Sequence, residues 1–255
     1  MVVMWNVAFA VFLDPGTRWP VRLGSLVMAA IAAYMATVSN SATAVLLVLG
    51  SALTLTAGAI ILRGGLLRPS RLATLFLLFG VVLVAALSIL PYQQVDPVDA
   101  VLGQFGKDST LTGRTVLWQY AEDQIRERPL LGTGAGGFWR YEESPLVRRI
   151  YFEFYKGPWD VFNFHNSYYE IAVHQGLIGL AMVAPALLWG IWVISRRALS
   201  EGSMPSVYFF GHMLVVVIRT MTEADFLKPF VIFHMVFWIG AIAAVVPRKS
   251  RTYRD

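Results

Sequence analysis

The chemically most specific stretch of the sequence is His165-Asn166, followed after nine residues by a Gly-x-x-Gly pattern at residues 176–179. Ser167 and Glu170 form an S-x-x-E pattern, which predicts that a helix begins just after His165. Helix N-termini favour phosphate groups, and an imidazole can accept a proton from a sugar hydroxyl near neutral pH. We therefore predict His165 as a catalytic base and Asn166 as a supporting residue. An interfacial histidine without a chemical role is the alternative.

Two arginines could hold the phosphate groups of a substrate. A guanidinium presents a planar fork that matches phosphate oxygens and stays charged at any working pH. Arg114 precedes a predicted surface helix, and Arg219 lies in an apolar run one helical turn before Glu223. An arginine in an apolar run is usually paired or functional, and Glu223 is the expected partner. A solvated Arg114 and a purely structural Arg219–Glu223 ion pair remain the alternatives.

Other polar and aromatic patterns give weaker evidence for a functional site. The glycine-rich stretch 132–137 resembles a dinucleotide loop, but it follows Pro129 and no strand precedes it, so a tight turn is expected. The aromatic side chains of residues 151–164 could stack on sugars, although an aromatic belt at the membrane interface explains most of them. His174 and His234 are expected to pack between helices. The sequence predicts no metal site, since Asp96-Pro97-Val98-Asp99 is at best a weak candidate.

The composition indicates that much of the chain lies in a lipid bilayer rather than in water. Hydrophobic residues make up 56% of the 255 positions and charged residues 15%, whereas a soluble domain usually has about 25% charged residues. The mean hydropathy is +0.58. The net charge of +5 is spread between apolar runs rather than along one basic stripe, which argues against nucleic-acid binding. Without cysteine, disulfides and cysteine-based zinc sites are excluded.

The sequence therefore predicts an all-α fold: a polytopic transmembrane helical bundle with one large, partly helical periplasmic loop. Six apolar runs are long enough to cross a bilayer, at residues 21–38, 41–62, 72–90, 168–194, 205–221 and 230–246. The predicted regions are transmembrane helices in 1–91, the loop with the active-site residues in 92–166, transmembrane helices in 167–247, and a basic cytoplasmic tail in 248–255. Residues 1–13 are too short to span, which predicts that the chain is truncated and inactive alone.

The orientation follows from the basic residues of the short connections. Counting helices between the basic clusters places all of them on one face, which should be cytoplasmic. The clusters are Arg18 and Arg22; Arg63, Arg68 and Arg71; Arg196 and Arg197; and Arg248, Lys249, Arg251 and Arg254. The long loop would then lie outside. Within it, apolar residues spaced by four predict a helix over 115–128 that lies on the membrane surface or against the bundle.

Three of these stretches together resemble the O-antigen ligase and Wzy-type polymerase superfamily of bacterial membrane glycosyltransferases. They are TGRTxxW at 112–118, Pro-Leu-Leu-Gly-Thr-Gly at 129–134, and His-Asn-x9-Gly-x-x-Gly at 165–179. The Ser-Asn-Ser-Ala-Thr stretch at 39–43 is also similar to exopolysaccharide polymerases of the ExoQ type. The resemblance runs from about residue 39 to the C-terminus. Each motif is short, but their order around an outer loop is fairly specific.

The resemblance implies metal-independent, inverting transfer of glycan from undecaprenyl diphosphate to an acceptor sugar hydroxyl, without a cofactor. His165 would be the base, Arg114 and Arg219 would hold the diphosphate, and Arg140 is a further candidate without a motif of its own. Glu223 would support the site. The implied partners are the undecaprenyl-diphosphate-linked oligosaccharide, an acceptor glycan, the lipid bilayer and other polysaccharide assembly proteins, but no nucleic acid. The implied location is the bacterial cytoplasmic (inner) membrane.

Three functions remain open at the level of sequence. Repeat-unit polymerisation is favoured by the ExoQ-type similarity, while an O-antigen ligase would transfer the finished glycan to a lipid A-core acceptor. A non-enzymatic transporter of lipid-linked sugars would use Arg219 and His212 along a pathway. Against transport, the polar residues gather at the outer side, and neither discontinuous helices nor repeat symmetry are expected.

Overall fold

A computed structural model describes residues 1–39, 41–63, 113–226 and 228–247, and over these residues the chain is helical. In chain order the helices are α1 (Val2–Leu13), α2 (Trp19–Val38), α3 (Ala42–Arg63), α4 (Arg114–Glu127), α5 (Pro145–Glu153), α6 (Ser167–Glu201), α7 (Met204–Thr222) and α8 (Ile232–Val245). The predicted run 72–90 and the candidates Asp96 and Asp99 lie outside the described residues.

Four helices are long and apolar enough to cross a membrane. They are α2, α3, α6 and α7, with mean hydropathies of 1.7, 2.4, 2.2 and 1.3 over their most apolar windows. Helices α1 and α8 are apolar but shorter. The prediction of an all-α, multi-pass membrane protein is therefore confirmed.

Helix α7 is the centre of the bundle and contacts α1, α3, α6 and α8. Glycines allow these helices to approach closely, as is common in membrane bundles. A Cβ at Gly211 on α7 would lie 2.8 Å from the Leu55 side chain of α3, and one at Gly240 on α8 would lie 2.5 Å from Phe209. Helix α7, which carries Arg219, is consequently packed on several sides.

The structure brings several basic connections to one end of the bundle. The turn between α1 and α2, at residues 14–18, borders Met204 at the start of α7. Leu62, near the end of α3, packs on the same cluster as Met204. Near the end of α6, Arg197 donates to the carbonyl of Ala244 near the end of α8, at 3.5 Å. The predicted common face is thus observed for these connections, while its cytoplasmic location remains a prediction.

At the other end, α4 and α5 cover the first turns of α6 and form a domain with its own core. We call it the outer domain, and this end of the bundle the outer end, after their predicted location. Helix α4 has Leu117 and Ala121 buried against this core, so it packs on the protein rather than lying flat on lipid. The predicted aromatic belt is wrong for Tyr151, Phe162 and Phe164, which are buried here because the domain needs large apolar side chains to fill its interior. Other aromatic residues of the same stretch are exposed: Phe152, Tyr155 and Trp159.

Helix α6 is interrupted at Gly176, where φ is 68° and ψ is −170°. The expectation that no helix is discontinuous is therefore wrong. The tight turn predicted within 132–137 is present, with the Gly137 amide donating to the carbonyl of Gly134 at 2.9 Å. The preceding turn at 129–134 pairs with the interruption and satisfies the backbone groups that the break would leave open. The pairing consists of the amides of Thr133 and Gly134 donating to Val173 (2.8 Å) and His174 (2.9 Å), and of the amides of Leu177 and Ile178 donating to Pro129 (2.8 Å) and Leu130 (3.3 Å).

Candidate active site

The backbone at His165 is held in an unusual conformation by side chains from three segments. His165 has φ of 49°, a left-handed conformation that is rare for residues other than glycine. The Trp118 indole donates to the carbonyl of Phe164 at 2.8 Å, and the Phe164 amide donates to Glu170 Oε2 at 2.9 Å. The His165 amide donates to Asn163 Oδ1 at 2.8 Å. With Phe164 fully buried, these bonds fix the direction in which the imidazole leaves the chain.

Asn166 begins helix α6, which corrects the capping pattern expected from the sequence. Its Oδ1 accepts from the amides of Tyr168 and Tyr169 at 2.9 and 3.2 Å. Ser167 does not cap the helix, because its hydroxyl instead donates to the carbonyl of Glu223 at 2.7 Å. Asn166 also donates to the carbonyl of Met221 at 3.3 Å. The start of α6 is thus joined to the end of α7, which brings Glu223 to His165.

His165 and Glu223 form a loose, partly open pair. Nδ1 of His165 lies 3.9 Å from Oε2 of Glu223, which is longer than a hydrogen bond, so the contact is electrostatic. Nδ1 is buried and makes no hydrogen bond within the described part of the chain. The side chains are 33% and 29% exposed. The imidazole therefore lies beside a carboxylate and remains reachable from outside.

The charges of Arg114 and Arg219 converge on Glu223. Burial alone would raise the pKa of Glu223, but His165, Arg219 and Arg114 together hold the pKa below its usual range. Burial lowers the pKa of Arg114, and the charge of Glu223 partly offsets that effect. The structure thus brings four sequence-predicted site residues together: His165, Glu223, Arg114 and Arg219.

The close ion-pair partner of Arg219 is Asp225, which corrects the expected Arg219–Glu223 ion pair. Nε and Nη2 of Arg219 donate to Asp225 Oδ2 at 3.0 and 2.7 Å, and the guanidinium lies 4.5 Å from the centre of the Phe233 ring. His234 Nε2 lies 2.9 Å from Asp225 Oδ1. Burial would raise the pKa of Asp225, but the hydrogen bonds from His234 and Arg219 lower it overall. The backbone is extended at Glu223, directly after α7 ends, and this brings Asp225 back to Arg219.

Arg140 occupies a different place. It forms an exposed ion pair with Glu143 at 2.7 Å. It also lines an open cleft of about 420 Å³ together with Glu142, Trp159 and Asp160. The acidic neighbours weaken the electrostatic case for Arg140 as a diphosphate ligand, and its role stays a prediction.

Sequence reasoning missed Trp118, Asp225 and Glu170 as residues that position the site. Trp118 belongs to the TGRTxxW stretch, whose tryptophan was a usable clue, whereas the partners of Asp225 are set only by packing. His174 pairs with Glu170 at 3.2 Å, and His212 is buried and faces the carbonyl of Phe233 at 2.9 Å.

The arrangement offers an oriented imidazole beside two guanidinium groups, at the end of the bundle where the outer domain sits. Such a set can accept a proton and stabilise phosphate charge in one place. Among the described residues, no group of three or more histidine, aspartate and glutamate side chains has the geometry to hold a metal ion.

The fold and site thus define a multi-pass helical membrane protein with a histidine and arginine cluster where α4 and α5 cover one end of the bundle. Residues 25–184 match the family described as O-antigen ligase, and the chain belongs to that family. It is similar to the exopolysaccharide production protein ExoQ of Rhizobium meliloti (strain 1021), with 35% identity over 230 residues. The alignment covers 87% of this chain and 50% of ExoQ, so the chain spans about half the length of that relative. The family resemblance drawn from the motifs is confirmed.

Proposed function

We propose that this chain carries the active site of a membrane glycosyltransferase that moves glycan from undecaprenyl diphosphate to an acceptor sugar hydroxyl. Repeat-unit polymerisation is the preferred reaction, because the similar ExoQ protein is named for exopolysaccharide production. The observation that carries the proposal is the convergence of His165 with Glu223 and two arginines. The site would face the periplasm from the cytoplasmic membrane.

In this mechanism the acceptor hydroxyl loses its proton to Nε2 of His165 while its oxygen attacks the anomeric carbon of the donor sugar. The bond from that carbon to the diphosphate breaks, and undecaprenyl diphosphate leaves with the electron pair. A direct displacement inverts the configuration at the anomeric carbon. Glu223 faces Nδ1, so a proton on Nδ1 would leave the Nε2 lone pair free to act as the base.

The arginines would replace the divalent cation that balances the leaving diphosphate in many transferases. Arg219 already uses Nε and Nη2 on Asp225, which fixes the plane of its guanidinium. Among the described residues, its Nη1 makes no hydrogen bond and is available to a phosphate oxygen. Arg114 is partly buried, and a desolvated cation attracts phosphate more strongly than an exposed one.

An O-antigen ligase is the second candidate, because the matching family carries that description. The two reactions differ in the acceptor, and one experiment separates them. The protein, expressed from its own gene and reconstituted in lipid, is given undecaprenyl-diphosphate repeat units with EDTA present. A ladder of lengthening products is expected. A single transfer to a lipid A-core acceptor would indicate a ligase.

Movement of the lipid-linked sugar without bond formation would overturn the enzyme proposal in favour of transport. Turnover lost on chelation and restored by magnesium or manganese would overturn the metal-independent mechanism and redirect attention to Asp96 and Asp99.

A further inference from the structure

The turn at 129–134 exposes two large apolar side chains. Leu130 is 62% exposed and Leu131 is 71% exposed. Two adjacent exposed leucines are unusual in a segment that the protein holds rigidly, because apolar surface in water is costly. We therefore expect the two leucines to contact another apolar surface.

The turn is fixed to α6 by the four backbone hydrogen bonds at the helix interruption. A Cβ at Gly176 would collide with the carbonyl of Leu130, so glycine is needed for this close approach. The same pairing places Leu130 and Leu131 beside Leu177 and Ile178, the first residues after the break. The position of the two leucines is thus set by the helix and not by a free loop.

Leu177 and Ile178 begin the segment of α6 that follows the break. Residues 177–201, at 1.5 Å per residue, are long enough to span a hydrocarbon core of about 30 Å by themselves. Leu177 is 49% exposed and Ile178 is 44% exposed in the absence of lipid. For a span that begins at the break, these two side chains are the first of α6 to face lipid.

We infer that Leu130 and Leu131 insert into the outer edge of the bilayer and anchor the outer domain to the lipid beside α6. The four side chains of Leu130, Leu131, Leu177 and Ile178 then form one apolar surface that continues into the membrane-spanning face. Arg128, exposed at the end of α4, lies just before the turn, where a cation would meet lipid phosphates. Because this apolar surface continues into the spanning helix, we favour lipid over a soluble protein as its partner.

The inference is independent of the proposed function, since it rests on the exposure of the two leucines and on the pairing of the turn with α6. It nevertheless bears on the site, because the same hydrogen bonds connect the turn to the α6 segment that starts just after His165. Anchoring the turn would keep the imidazole at a constant depth relative to the lipid headgroups.

The absence of native cysteine allows a direct test. Leu131→Cys is labelled with an environment-sensitive fluorophore and reconstituted into phosphatidylethanolamine–phosphatidylglycerol vesicles containing doxyl-labelled lipids. Glu142→Cys, an exposed position elsewhere on the outer domain, is the matched control. The label at residue 131 should be blue-shifted and quenched by the lipid, while the label at 142 should be quenched by aqueous iodide.

Equal lipid quenching at both positions would overturn the inference. So would a label at 131 that neither lipid nor iodide quenches, because the leucines would then be covered by protein. A second measurement needs no substitution: a phospholipid with a photoreactive acyl chain should crosslink the unmodified chain at residues 129–134, and its absence there would also contradict the anchor.

Discussion

Two histidine–carboxylate pairs lie at the outer end of the bundle, and they differ in closeness and exposure. His165 is 3.9 Å from Glu223, with a third of its side chain exposed. His234 is 2.9 Å from Asp225, and their side chains are 5% and 12% exposed. The first pair is loose and open, and the second is hydrogen-bonded and closed.

The difference indicates which pair can do chemistry. A base must reach its substrate and change its protonation during turnover, which a buried imidazole held by a carboxylate cannot do without breaking that contact. Only the imidazole of the open pair has that access, with 33% of its side chain exposed against 5% for His234. The closed pair instead fixes Asp225, which in turn fixes Arg219. One histidine is thus placed for reaction and the other for support.

The largest expected effect tests the contrast between the two histidines directly. His165→Gln should lower turnover by about 10²–10⁴, because it removes the general base, and should leave thermal stability nearly unchanged. His234→Leu should instead cost about 1–3 kcal/mol in the free energy of unfolding, through the lost bond to a buried carboxylate. Turnover with lipid-linked donor and thermal unfolding in lipid nanodiscs measure the two. Equal turnover losses without destabilisation would show that the pairs are not distinct.

The arginines around the open pair come next. Arg114→Lys and Arg219→Lys should each lower turnover by about 10- to 150-fold, since a charged hydrogen bond contributes about 1.5–3 kcal/mol and an ammonium cannot reproduce the guanidinium fork. Arg126→Lys is the control, because Arg126 is an exposed residue of α4 that pairs with Glu122 and Asp123. Full activity of Arg219→Lys would remove Arg219 from the site and leave it as a structural ion pair.

A smaller effect tests whether the backbone around His165 holds the imidazole in place. Trp118→Phe keeps the ring but removes the bond to the Phe164 carbonyl, so turnover should fall by about 2- to 10-fold, the equivalent of 0.5–1.5 kcal/mol. Donor affinity should stay unchanged, because Trp118 acts through His165. Tyr120 lies on α4 like Trp118 and makes one exposed hydrogen bond, to Glu153 at the end of α5. Tyr120→Phe removes that bond and should have no effect on turnover. Similar losses in both variants would indicate general damage to α4.

The smallest effect concerns pH and the closed pair. The pKa of Asp225 is lowered in the folded protein, so its ionisation stabilises the fold above the ordinary carboxylate pKa. That stability should be lost as pH falls below about 4 and through the lowered pKa. Thermal unfolding measured across acidic pH should show the decline in the native chain and a weaker one in Asp225→Asn. Identical profiles would mean that Asp225 contributes little.

Much of the fold followed from local sequence. The apolar runs predicted membrane helices because backbone in hydrocarbon must satisfy its own hydrogen bonds. The helix at 115–128 was predicted within a residue of its observed bounds, because its period and the proline after it are local features. The site histidine and both arginines were also singled out from residue type and position.

The pairing of charges followed only from the tertiary structure. Glu223 stands one turn after Arg219 in sequence, yet the helix ends at Thr222 and the extended chain brings Asp225 to the guanidinium instead. Ser167 matched a capping pattern, but its hydroxyl binds the carbonyl of Glu223 from another helix end. Local patterns cannot foresee partners that packing brings from 56 residues away.

The sequence by itself determined that this chain is a membrane helical protein of a recognisable family, because hydrophobicity and short motifs are properties of single segments. The tertiary structure alone decided which carboxylate faces which cation, why two glycine-containing motifs meet at the break in α6, and which histidine stays open. These outcomes depend on distances between segments, and only the packed bundle sets those distances.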